Sequence, residues 1–100
     1  MQLANGYETM TTFWQDFTIA DKFGKKAVIE TYDIAFNEWK HDYKYITELS
    51  IVLNHKIWQH WESKNEELSK TYNDLWAKLE DYVFENFSEE EIQYYYKITD

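Results

Sequence analysis

Glu38-Trp39-Lys40-His41 is the stretch whose residue types and spacing come closest to a metal motif. A Glu and a His three residues apart share one helix face, the step by which ferritin-like bundles hold two irons. Such a centre needs a second Glu-x-x-His and two further inward Glu residues, and the chain has no second motif. The stretch therefore reads as an exposed helix end. His55 and His60 lie five residues apart and point to different helix faces. There is no His-x-x-x-His pair of the kind a zinc hydrolase uses. Asn54, His55 and Gln59 are left as a polar patch beside Trp58.

The absence of Cys excludes disulfides, thiolate catalysis, zinc fingers and iron–sulfur clusters. No Gly-rich phosphate loop or nucleophile elbow occurs, and Ser and Thr fall mostly where helices begin. No catalytic residue, metal or cofactor is assigned. A non-enzymatic, macromolecule-binding role is expected.

The acids are distributed unevenly. The net charge is −9, every cation is Lys, and residues 61–100 hold eleven acids against four Lys. Glu66 with Lys70 and Asp74 with Lys78 are four apart and read as helix-stabilising pairs. Glu80, Asp81, Glu85, Glu89, Glu90 and Glu91 have few Lys neighbours and are expected to form one acidic edge for a partner. Carboxylates one helical turn apart lie roughly 6 Å from each other, near the phosphate spacing of a nucleic-acid strand. Such an edge suits a basic protein and disfavours direct binding of nucleic acid. Trp58, with Trp61 beside it, is the second candidate contact. The competing reading of the acids is a solvated helical face.

These residues must be positioned by helices. The chain has no Pro and two Gly among 100 residues, too little turn chemistry for most sheet folds. One fifth of the residues are aromatic, far too many for a disordered acidic chain, so a folded aromatic core is expected. Residues 1–10 show no periodicity and read as a loose lead-in to one domain over 11–100. Thr12 to Gln15 fits a capping box, with Thr18 a second cap candidate, and predicts a short helical stretch closed at Gly24. A helix over about Lys26–Lys40 follows, with Val28, Tyr32, Ala35, Phe36 and Trp39 inward. The next, about Lys44–Glu62 and capped by Asp42, carries Ile46, Leu49, Leu53, Ile57 and Trp61 on one face. Its other apolar residues mark it as central.

Ser63 and Glu66 form a capping box for a fourth helix, whose seam is Leu68, Tyr72, Leu75, Leu79 and Tyr82. Ser88 and Glu91 form another, and Ile92, Tyr95 and Tyr96 are expected inward on the last helix. Phe36, Trp39, Leu49, Leu53, Leu75 and Leu79 are the expected core centre. The fold class is all-α, a single bundle of four to five helices. No run of about 18 apolar residues suggests a membrane span, and no basic-then-apolar leader opens the chain. With no Cys, a cytoplasmic location is expected.

Three strings carry a resemblance: Thr11-Thr12-Phe13-Trp14-Gln15-Asp16-Phe17-Thr18-Ile19-Ala20-Asp21-Lys22-Phe23-Gly24, Ala35-Phe36-Asn37-Glu38-Trp39-Lys40 and Leu53-Asn54-His55-Lys56-Ile57-Trp58. Over about Thr11 to Asp100 the chain resembles a family of short accessory proteins carried by conjugative elements and phages of low-GC Gram-positive bacteria. Small acidic proteins of such elements include anti-CRISPR inhibitors of Cas9 and anti-restriction DNA mimics. The resemblance thus implies a counter-defence role, with Cas9 or its guide complex as the partner, and it assigns no functional residue. The alternative expectation is an assembly module of a mobile genetic element that uses an aromatic helical face around Trp58.

Overall fold

Asp42 begins the central helix. Its carboxylate accepts hydrogen bonds from the backbone N–H groups of Lys44 and Tyr45 at 3.1 and 3.4 Å, which satisfies donors that a helix start leaves free. The computed structural model describes residues 2–99, with side chains described over 10–99. Five helices follow one another: α1 (Gln2–Asp21), α2 (Lys25–Trp39), α3 (Tyr43–Glu62), α4 (Glu66–Asn86) and α5 (Glu89–Thr99). No strand occurs among the described residues. The fold is an all-α bundle, and α3 touches each of the other four helices. No helix is long and apolar enough to cross a membrane among the described residues.

The N-terminal third differs from expectation in a specific way. The helical backbone is already present at Gln2 and passes through Thr12 and Thr18 without a break, so neither Thr starts a helix. Phe13, Phe17 and Ala20 recur at helical spacing and are buried, and Met10 packs at their edge. One continuous face is thereby fixed by packing, which overrides a local capping signal. Gly24 closes the corner at φ 103° and ψ −171°, an extended positive-φ conformation rather than the left-handed helical one. A Cβ placed there would meet nothing within 4 Å.

A second correction concerns the start of α4. Ser63 ends α3, and Lys64 takes a positive φ of 63°. The Asn65 N–H then donates back to the His60 carbonyl at 2.8 Å, and the Asn65 side chain accepts from Leu68 N–H at 3.1 Å. Asn65 is therefore the cap, because the chain needs one left-handed residue to leave α3 before it can enter α4. The Ser88–Glu91 box is as expected: Glu91 accepts from Ser88 N–H at 2.9 Å, and Ser88 Oγ accepts from Glu91 N–H at 3.3 Å.

Leu49, Leu53, Leu75 and Leu79 are buried at the centre, while Phe36 and Trp39 pack at its margin. Tyr32, Tyr72 and Tyr95 are instead the largest buried side chains. Tyr96, expected inward, faces solvent, and so does Trp61 at the end of the α3 stripe. On α3 the buried stripe runs Ile46, Leu49, Leu53, Lys56, His60. Beyond Leu53 it continues through two polar residues that Asp21 of α1 receives, while Ile57 packs at its edge and Trp61 is exposed.

Candidate functional site

The candidate interface is built on the junction between α4 and α5. Six acids were singled out there, and the helices treat them differently. Asp81 and Glu85 lie one turn apart on the outer face of α4, and Glu89 and Glu90 open α5. All four are exposed, and no salt bridge reaches any of them among the described residues. Glu89 and Glu90 also lie where the N-terminal end of a helix favours negative charge.

Glu80 is not part of that surface. It is half-buried and accepts a hydrogen bond from the Tyr95 hydroxyl at 2.8 Å. That hydroxyl lies 2.7 Å from Ser50 Oγ, so Glu80, Tyr95 and Ser50 tie α4, α5 and α3 together. Burial pushes the Tyr95 phenol above its usual range, and the Glu80 charge adds to the effect. Glu91 is committed to its capping bond. The exposed edge is therefore Asp81, Glu85, Glu89 and Glu90. Phe84 and Tyr96 are exposed beside it, with ring centroids 5.9 Å apart.

Trp58 belongs to a different surface. It is 58% exposed, and with Trp61 and Ile57 of α3 it lines a groove of about 470 Å³. Glu66, Ser69, Lys70 and Asn73 of α4 form the other wall. From Asn73 to Asp81 is about 12 Å along α4, so the tryptophans and the acidic edge occupy opposite ends of that helix. His55 is exposed, whereas His60 is buried.

The Glu-x-x-His step does not share a helix face. α2 ends at Trp39, so Glu38 is helical while His41 lies in the turn beyond. Among the described residues no group of three or more His, Asp or Glu is placed to hold a metal ion.

Two buried polar clusters escaped the sequence reading. In the first, Lys56 has no solvent exposure, and its ammonium donates to Thr18 Oγ1 at 2.9 Å, Asp21 Oδ2 at 3.0 Å and Gln59 Oε1 at 3.1 Å. It also lies 4.2 Å from the centre of the Trp14 ring, a favourable place for a cation. Asp21 further meets His60 Nε2 at 2.9 Å and accepts from the Tyr72 hydroxyl, and the His60 and Tyr72 rings stack. These bonds fasten α1 to α3 and α4. The signal in the sequence was the three-four step from Leu53 to Lys56 to His60, which hydropathy alone hides.

The second cluster centres on Glu48 of α3. Its carboxyl is buried, and Oε1 has no hydrogen-bond partner among the described residues. Burial lifts its pKa to about 7, and Asp42 nearby adds to the rise. The Tyr94 phenol is raised as well, first by burial and then by Glu48.

Protein-family models, curated proteins and solved structures were compared with the chain, and none of the three comparisons gives a match.

Proposed function

We propose that this protein is a non-enzymatic inhibitor that binds a basic, nucleic-acid-handling protein through the acidic edge at the α4–α5 junction. The observation that carries the reading is the exposure of Asp81, Glu85, Glu89 and Glu90 with no cation paired to them among the described residues. Unneutralised carboxylates on a rigid helical corner suit a Lys/Arg channel that otherwise holds nucleic acid. The exposed Phe84–Tyr96 pair supplies apolar contact beside the charge. The resemblance to accessory proteins of mobile elements adds the biological frame. The inhibitor would serve counter-defence in the bacterial cytoplasm, against a type II CRISPR effector such as Cas9 or its guide complex.

The test is plasmid cleavage by a Cas9–guide complex with the wild type and with Asp81→Lys/Glu85→Lys/Glu90→Lys. Inhibition by the wild type should weaken with salt, and the triple variant should inhibit far less while keeping its helicity. Equal inhibition by both proteins at low and physiological salt would make the edge only a solvated face.

The groove at Trp58 and Trp61 favours a second reading, an assembly module of a mobile element. Two tryptophans 58% and 60% exposed beside an open groove are the residues that most often anchor protein contacts. Binding through them would depend little on salt and would be lost in Trp58→Ala.

A further inference from the structure

α1 and α2 form an antiparallel hairpin, and their outer faces do not close on each other. Between them runs a groove of about 520 Å³ lined by Phe13, Asp16, Ile19, Ile34, Glu38 and Trp39, among others. Two features set it apart from the acidic edge.

The first is apolar. Ile19 is 56% exposed and Ile34 is 70% exposed, one on each wall. Phe23, 78% exposed, extends the α1 wall at the corner. Ile19 and Ile34, each mostly bare and lining one groove, form an apolar patch rather than scattered surface residues. None of them supports the core, which lies on the opposite faces of both helices at Phe17, Val28 and Tyr32.

The second is electrostatic. Asp16 and Glu38 line the same groove from opposite walls, one helical turn from Ile19 and Ile34 respectively. Neither has a salt bridge among the described residues. They are close enough to interact: partial burial raises the Asp16 carboxyl above its usual range, and the Glu38 charge adds to the rise. Two like charges lining one groove are unfavourable until a cation comes between them. At the corner end, Lys22, Lys25 and Lys26 neighbour Phe23 in the chain. The corner of the hairpin is thus rich in Lys, while Asp16 and Glu38 lie along the groove.

We propose that the α1–α2 groove docks an amphipathic segment of a partner protein, whose Lys or Arg lies between Asp16 and Glu38 and whose apolar side chains cover Ile19 and Ile34. This surface is independent of the acidic edge. It shares no residue with Asp81, Glu85, Glu89 or Glu90, so either can fail without the other.

The probe is a synthetic amphipathic helix of Leu, Ala and Arg with its arginines on one stripe, titrated into the full-length protein. The readout is the NMR signal of the isoleucine methyl groups. Ile19 and Ile34 methyls should shift and saturate, while Ile46, inside the core, should not. Asp16→Asn/Glu38→Gln should weaken binding roughly tenfold or more, as losing a desolvated charge contact does. Ile34→Ser should weaken it as well, and its exposure makes misfolding a poor explanation. Asp81→Lys/Glu85→Lys should leave the affinity at these methyls within about twofold. Static Ile19 and Ile34 methyls would overturn the proposal. So would Asp16→Asn/Glu38→Gln binding like wild type, equal binding of a peptide with Gln in place of Arg, or equal loss in the acidic-edge variant.

Discussion

Lys56 and Asp21 meet 3.0 Å apart at a point where the lysine has no access to solvent. Thirty-five residues separate them in the chain, so the pair fastens α1 to the central helix. Burying an ammonium is tolerable only because Thr18, Gln59 and the Trp14 ring complete its surroundings.

Removing one partner should therefore be costly. Asp21→Ala strands the Lys56 charge and also unpairs His60 and Tyr72, and should lower stability by about 3–5 kcal/mol. Replacing both charges, Asp21→Asn with Lys56→Met, should cost clearly less, because no isolated charge remains. Urea unfolding of the two variants gives the comparison; equal losses would mean that packing, not charge, holds the corner.

Glu48 should make stability fall as pH rises. Its pKa is about 7 in the folded protein against 4.5 as the ordinary value, so the folded state holds a proton that the unfolded state has released. The contribution is neutral below the lower value, declines between the two, and is fully unfavourable above about 7. The slope between them is on the order of 1 kcal/mol per pH unit. Glu48→Gln should flatten this part of the profile and raise the melting temperature at about pH 8. A variant that melts below the wild type there would show that the carboxylate has a partner.

Tyr95→Phe should cost about 1–3 kcal/mol, since it leaves Glu80 and Ser50 each without a buried bond. By the same bond, Glu80→Lys should lower the melting temperature whereas Asp81→Lys should not. Thermal melts of these two neighbours separate the structural acid from the surface one. A harmless Glu80→Lys would return that residue to the binding edge.

Leu53 is fully buried at the centre of α3. Leu53→Ala should destabilise by about 2–5 kcal/mol, a large share of what a domain of this size has. An unchanged denaturation midpoint would place the core elsewhere.

The helices were legible because their signals agreed. Asp42 and the Ser88–Glu91 box mark real starts, and Leu49, Leu53, Leu75 and Leu79 keep helical spacing into the core. The misplaced starts at Thr12 and Ser63 have one cause, since a capping pattern states what a terminus would look like and not that one is there. Whether the helix breaks is decided by packing of Phe13 and Phe17, or by Lys64 turning left-handed. The acidic edge was legible as charge density but not residue by residue. Glu80 and Asp81 are adjacent in sequence, and only the position of Tyr95 on another helix tells them apart. Lys56 and His60 were hidden for a similar reason, because their burial depends on a carboxylate far away in the chain.

The corner at Gly24 has a stereochemical consequence. Its φ of 103° is unfavourable for an L residue, yet a Cβ built there meets nothing within 4 Å. What excludes alanine is handedness, not space. The mirror image of φ 103° and ψ −171° is ordinary extended backbone, which a D residue therefore occupies without strain. A chemically synthesised chain with D-alanine at this one position should fold as the natural chain does, and with less freedom to lose on folding it should be the more stable of the two. L-alanine, with the same atoms in the opposite configuration, should be the less stable.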